Sequence, residues 1–449
     1  MSKRPYLTAP IKTEKMPPGI PYIVGNEAAE RFTFYGLRAI LVVFMTQYLM
    51  DRTGQKAPMS AAEATEAMHI FLFGVYFFPF LGAILSDAFL GKYRTILLLS
   101  MVYCFGPLLL AIDHTKLGLF GGLWLIVIGS GGIKPCVSAH VGDQFGASNQ
   151  QLLPRAFSWF YFAVNFGSTF SMAITPLLLS KMGAGWAFGV PGVLMVLATF
   201  VFWSGRHKFI HIQPSGMEFV RQTFSLEGLK SIGSILTIFA FIPFFWALFD
   251  QTASRWVLQG QKMTPFNIAG NKVLAEQMQT LNPIFVLMLI PLFSYVLYPA
   301  IGKFFPLTQL RKIGIGFFVV ASSFLIPAWI EMRINSGAAP SLLWQVPAYF
   351  LLTCSEILIS ITALEFAYTQ APKTMKSLIM SVYLLTVAMG NLLTAVVNKA
   401  LQNENIARLL EGPRYYLFFA ALPFLAGIIF IFVAQRYKGQ TILHEETAA

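Results

Sequence analysis

The chain of 449 residues is 56% apolar and only 12% charged, and it carries a formal net charge of +12. Globular domains hold roughly 25% charged residues, so the composition excludes an ordinary soluble protein and implies a chain surrounded by lipid. The positive charge lies in alternate loops between apolar runs rather than on one patch, which argues against nucleic acid as a partner.

A helix that crosses a bilayer needs about 20 mostly apolar residues, so this length accommodates about twelve spans with short loops. Apolar cores recur at residues 71–85, 96–112, 117–129, 190–203, 232–248, 284–297, 313–330, 342–352 and 415–433. The bilayer offers backbone N–H and C=O groups no water, which makes helices the expected form. A transmembrane β-barrel would alternate over segments of about ten residues, and a continuous run such as 284–297 does not. The expected fold is an all-α membrane protein with twelve transmembrane helices in two six-helix bundles, 1–204 and 231–449, joined by a linker at 205–230.

In chain order, the first twenty residues are polar and contain proline, without an apolar core and cleavage site, so helix 1 is expected to stay in the mature protein. Helix 1 itself carries Glu27, Glu30, Arg31, Tyr35 and Arg38. Positions 27, 31, 35 and 38 fall at helical spacing with 30 and 34 alongside, so the ionisable groups form one stripe. A charge at the bilayer centre costs about 2.5–3.5 kcal/mol, so the stripe must meet a wet cavity or buried partners. An ion-pair cluster that merely locks the bundle is the plainer alternative, but four ionisable groups exceed that need.

His69 opens helix 2 and can titrate near neutral pH, although taken alone it reads as a satisfied polar residue near a helix end. Between helices 2 and 3, Gly82, Asp87, Gly91, Lys92 and Arg94 form a Gly–Asp–Gly–basic loop. Its glycines permit a tight turn and close helix approach, and Asp87 with the basic pair can form a charge network. In helix 4, Gly129, Gly131 and Gly132 precede Lys134 and Pro135; the proline removes a backbone donor and invites a bend. Cys104, Cys136 and Cys354 lie in apolar runs without paired spacing, which implies neither a disulfide framework nor a metal site.

The polar stretch 205–230 separates the halves, with a short interfacial helix expected around 217–224. Helix 7 then contributes Trp246 and Asp250, and helix 10 contributes Glu356 and Glu365. About eighteen Lys and Arg residues fall on the side of both termini and about eleven on the other. By the positive-inside rule both termini are cytoplasmic and the helix number is even.

Opposite charges on separate helices suit a zwitterion. Arg31 and Lys134 could hold a carboxylate, Glu356 an ammonium, and Asn165 and Asn282 could serve as uncharged donors and acceptors. A dipeptide or tripeptide fits such a cavity. The carboxylates also offer proton sites, because desolvation raises a carboxyl pKa while a nearby cation lowers it.

These segments resemble the proton-dependent oligopeptide transporter (POT/PTR) family of the major facilitator superfamily. The resemblance is carried by Glu27-x-x-Glu30-Arg31-Phe32, by residues 131–135 with 142–145, by 160–168, by 245–251, and by Glu356 with 364–372. It implies a proton-coupled symporter of the inner or plasma membrane that works by alternating access. The proton is then the coupling ion, and no cofactor, metal, catalytic residue or nucleic acid is involved. It further implies that Glu27, Glu30, Arg31, Asp250, Glu356 and His69 couple to protons. Arg31, Tyr35, Tyr76, Lys134, Asn165, Trp246, Asn282 and Glu356 would meet the peptide. Arg38 with Asp250, and Lys134 with Glu356, would be gating pairs. Phe34, Ser294 and Tyr383 depart from residues common in the family, which bears on side-chain preference and gating. A monomer without a large domain between helices 9 and 10 is expected.

A same-fold carrier of nitrate or another small anion is the nearest rival, disfavoured by Glu27, Glu30 and Glu356, which repel an anion. An intramembrane enzyme would need a nucleophile with a base, or a metal cluster, and no such spacing is present. A passive channel suits the mixed-sign charges less well than alternating access does.

Overall fold

A computed structural model describes residues 6–214, 216, 221, 225–268, 270–370 and 376–437, with side chains left aside at 226–232, 367–370 and 376–380. The helix expected at 217–224 therefore falls almost entirely outside the described residues, as do Lys3, Arg4, Lys373, Lys438, Ala371 and Pro372.

Among the described residues, ten helices are long and apolar enough to cross a membrane. They are α2 (Ala61–Leu90), α3 (Lys92–Ile112), α4 (Lys116–Gly142), α5 (Gln150–Met182), α6 (Ala184–His207), α8 (Ala275–Gly302), α9 (Gln309–Asn335), α10 (Leu342–Phe366), α11 (Ser381–Ala400) and α12 (Pro413–Arg436). An eleventh, α7, is broken: Gly233–Phe239 and Ile242–Gly260 meet at 43°. The apolar run 232–248 continues across this break. Pro243 stands in the first turn after the break, where its missing N–H and its ring end the preceding helical ladder. The first helix, α1 (Ile20–Val43), is long enough to span at about 1.5 Å per residue. Its four charged side chains keep it out of the apolar set. Composition alone thus supports ten or eleven of the expected twelve spans, and α1 is the remaining candidate.

The chain divides into two compact units, one of residues 1–60 with 74–221 and one of 61–73 with 222–449. In the first, α1 packs on α5 and α6, while α3 packs on α4 and α6. Gly82 on α2 lies against the backbone of Gly131 on α4, so closely that a Cβ at 82 would overlap the Gly131 carbonyl. Gly91 closes α2 at φ 76°, a conformation that favours glycine, and lets α3 start at once. In the second unit, α9 packs on α10 and α12, and α11 packs on the Ile242–Gly260 arm of α7. Residues 336–341 alone join α9 to α10, leaving no room there for a further domain.

Candidate functional site

The charged stripe of α1 is buried inside the first unit. Glu27 is 1% exposed and Glu30 is fully buried. Arg31 Nε lies 2.6 Å from Glu27 Oε1 and 3.3 Å from Glu30 Oε2, and Lys134 Nζ on α4 lies 3.5 Å from Glu30 Oε1. Two carboxylates and two cations thus neutralise one another, as burial demands, since an isolated charge in a low-dielectric interior is costly. The cluster is nevertheless undersupplied with hydrogen bonds. Among the described residues, Glu27 Oε2, both oxygens of Glu30 and Lys134 Nζ have none. The carboxylate oxygens can accept a proton, and the ammonium can donate to a polar ligand, without breaking a hydrogen bond first.

Aromatic rings bound the cluster. Lys134 Nζ sits 4.1 Å from the centre of the Phe34 ring and 5.8 Å from that of Tyr76, within cation–π reach. Tyr35 packs edge-on to Phe34 and interacts electrostatically with Arg31. Arg38 is buried two turns further along α1. Asn165 turns its amide back onto its own helix, donating to the Tyr161 carbonyl at 2.8 Å.

The second unit gathers the other expected residues. Asn282 on α8 donates to Glu356 Oε2 at 2.7 Å and to Thr353 Oγ1 at 3.2 Å. Glu356 ends an α-helical segment and leads into a π-helical turn, Ile357–Ile361. The wider turn carries Ser360, whose hydroxyl is 2.7 Å from that of Tyr383; π-bulges recur at functional sites. Trp246 packs against Phe245, Phe249 and Tyr383, and its buried indole N–H has no partner among the described residues.

His69 and Asp250 are joined by a residue that the sequence reading did not single out. Asn391 Nδ2 donates to Asp250 Oδ2 at 2.7 Å and to the Val387 carbonyl at 3.0 Å. Both neighbours only accept, which fixes the amide orientation and turns its oxygen toward His69 Nδ1, 2.7 Å away. Nδ1 must therefore carry a proton. Nε2 faces Ser254 Oγ at 3.0 Å, and that hydroxyl can donate to a neutral ring or accept from a charged one. His69 is fully buried and stands two turns inside α2, not near its end.

No group of three or more potential metal ligands occurs among the described residues. A profile of the POT family (PTR2) matches residues 93–226 and 217–412. The chain belongs to the POT family.

Similar proteins include the fly Peptide transporter family 1 protein (Drosophila melanogaster), 35% identical over 72% of this chain and 48% of that protein. Human Solute carrier family 15 member 2 is 34% identical over 72% of this chain and 50% of that protein. The chain thus spans about half the length of the curated relatives it matches. Among solved structures, the POT family transporter PepTSo is 37% identical with a TM-score of 0.86, covering 94% of this chain and 99% of that one. An auto-inhibited POT family peptide transporter is 35% identical with a TM-score of 0.86, covering 96% and 99%. The fold is therefore that of this transporter branch of the major facilitator superfamily, and the family is one of multi-pass membrane transporters rather than enzymes.

In this POT family chain the charge network expected in the loop after α2 takes in a further acidic residue. Lys92 bonds Asp143 at 2.8 Å, across 51 residues of sequence. Asp87 stays within electrostatic reach of both Lys92 and Asp143. Asp143 lies in the 142–145 motif, so the motif marked the residue while its partner remained hidden. The buried polar side chains of Asn26, Ser100 and Tyr103 were also missed. Single Asn, Ser and Tyr residues in apolar helices are common, and spacing along one helix does not reveal what another brings to them.

Proposed function

We propose that this POT family chain is a proton-coupled symporter that imports di- and tripeptides by alternating access. The observation that carries the reading is the buried cluster of Glu27, Glu30, Arg31 and Lys134, neutral overall yet short of hydrogen bonds. Arg31, with 16% of its side chain exposed, and Lys134 bind the peptide carboxylate, lined by Tyr35 and Tyr76. Asn282 and Glu356 take the amino end together with Asn165, and Trp246 bounds a side-chain pocket. The names of the relatives, which include peptide transporters, support this substrate class.

Glu30 is the principal proton site, because its protonation weakens its hold on both Arg31 and Lys134. Glu27, His69, Asp250 and Glu356 share in the coupling. During the cycle Arg38 pairs with Asp250 and Lys134 with Glu356, each pair closing one side in turn. The proton is the coupling ion and no cofactor takes part. The chain works as a monomer in an inner or plasma membrane with both termini in the cytoplasm, as the distribution of Lys and Arg supports.

Competition tests the substrate class. Uptake of a labelled dipeptide into proteoliposomes should be suppressed by unlabelled di- and tripeptides but not by free amino acids or nitrate. Suppression by nitrate, with none by peptides, would transfer the chain to the anion-carrier reading.

A further inference from the structure

Inside the first unit, α1, α3, α4 and α6 surround a set of polar side chains that the proposed function does not use. Tyr103 on α3 is fully buried, and its hydroxyl interacts electrostatically with Glu30, Arg31 and Glu27. Ser100, one turn earlier on the same face of α3, is also fully buried. Asn26 precedes Glu30 by four residues on the same face of α1, about 6 Å along the axis at 1.5 Å per residue, and is 1% exposed. The Tyr103 and Ser100 hydroxyls, both polar atoms of the Asn26 amide and both oxygens of Glu30 make no hydrogen bond among the described residues. Buried polar atoms are satisfied in the great majority of cases, by protein or by water. Six such atoms supply the two to four partners that a buried water requires.

The seam has a direction. Tyr22 near the start of α1 and Tyr93 near the start of α3 both pack on Phe209, at 6.4 Å and 5.9 Å, so the two helix N-termini lie at one end. Asn26 is displaced from Glu30, and Ser100 from Tyr103, toward that same end, which the proposed topology assigns to the cytoplasm. The charged or titratable groups around the seam are Glu27 and Arg31 from α1, Cys104 from α3 and Lys134 from α4, with the buried His140 of α4 packed on Phe209 at the far end; the buried residues of α6 include none.

We infer that Tyr103, Ser100 and Asn26 hold a short chain of water behind Glu30, and that this chain carries the proton from Glu30 toward the cytoplasmic end inside the bundle. Glu30 gives up its proton to the adjacent water, each water passes one on, and the carboxylate returns to its ion pairs with Arg31 and Lys134. No bond other than O–H is made or broken. The three residues are positioning residues: they order the water and do not bind peptide. The inference rests on the symport reading of the same site.

The test uses the full chain in proteoliposomes, with Tyr103→Phe, which keeps the ring and removes the hydroxyl, and Asn26→Leu, which fills the seam with apolar volume. Dipeptide uptake driven by an inward proton gradient should fall about tenfold in each variant, the loss expected for one hydrogen bond in a charged network. Counterflow exchange of labelled for unlabelled peptide without a gradient should stay within about twofold, because it needs no net proton release. The gradient-driven pH profile should shift, which a merely structural role would not produce. Equal uptake by wild type and both variants, or parallel loss in both assays, overturns the inference. Wild-type uptake indifferent to the gradient removes the symport reading instead, and the inference with it. A high-resolution experimental structure gives an independent readout should the variants fold poorly: ordered water bonded to Tyr103 Oη and the Asn26 amide is expected, and a dry seam contradicts it.

Discussion

Lys134 Nζ stands 3.5 Å from Glu30 Oε1, an ion pair too long for a well-formed hydrogen bond, and the ammonium has no other hydrogen-bond partner among the described residues. Both groups are buried, so the attraction is strong, while the missing hydrogen bond leaves it easy to exchange for a proton or a ligand carboxylate. A tight bidentate pair in the same place would hold the bundle together and resist cycling.

That relationship predicts a particular stability pattern. Lys134→Ala leaves Glu30 with Arg31 alone. Breaking a buried pair costs about 3–5 kcal/mol, and the loss here should sit near 3 kcal/mol because one cation remains. Adding Glu30→Gln should restore most of the stability, since the orphaned charge is then gone. Thermal unfolding of the two variants in detergent would measure this, and a double variant less stable than Lys134→Ala would contradict it.

Asn391 carries a second prediction. Asn391→Leu keeps the volume but strips Asp250 Oδ2 and His69 Nδ1 of a 2.7 Å partner each. Leaving a buried polar group unsatisfied costs about 1–3 kcal/mol, so the variant should unfold at lower temperature by a corresponding amount. Val387→Ala, which leaves the backbone carbonyl bonded to Asn391 in place, should cost less. A neutral Asn391→Leu would show that the Asp250–Asn391–His69 chain contributes no net stability.

Outside the spans, His211 predicts a pH dependence. Its ring stacks on Tyr6 at 4.2 Å and meets Tyr93 at 4.6 Å. Burial, reinforced by the nearby Arg94 and His207 charges, holds its pKa below the usual imidazole value, against the pull of its hydrogen bond to the Arg206 carbonyl. The folded protein therefore favours neutral His211. Its stabilising contribution is full above the unfolded value of about 6.5 and is lost as pH falls from there through the lower folded value. Between pH 7 and pH 5 the melting temperature of His211→Gln should fall less than that of the wild type. An identical fall in both would remove His211 as the cause.

The general plan was legible because membrane chemistry leaves coarse marks. Long apolar runs require helices, and four charges in α1 require partners. The 245–251 and 356 motifs located residues that the structure places beside named neighbours. What stayed hidden depended on meetings between distant segments. His69 and Asn391 are 322 residues apart, and neither an Asn in α11 nor a Ser in α7 carries a signal of its own. The bend in α7 was obscured because Pro243 lies within a run whose hydropathy does not change across the break. Asp87 was the acidic partner expected for Lys92, and only the packing of α3 near the end of α4 brings Asp143 to it as well.

The central claim is that a proton on Glu30 governs transport. The direct measurement is initial dipeptide uptake into proteoliposomes, with and without an inward proton gradient, for wild type and Glu30→Gln. The gradient should accelerate wild-type uptake at least about tenfold, the equivalent of 1.4 kcal/mol, and leave Glu30→Gln unchanged while counterflow persists. Wild-type uptake that ignores the gradient, or Glu30→Gln uptake that follows it, would contradict the account.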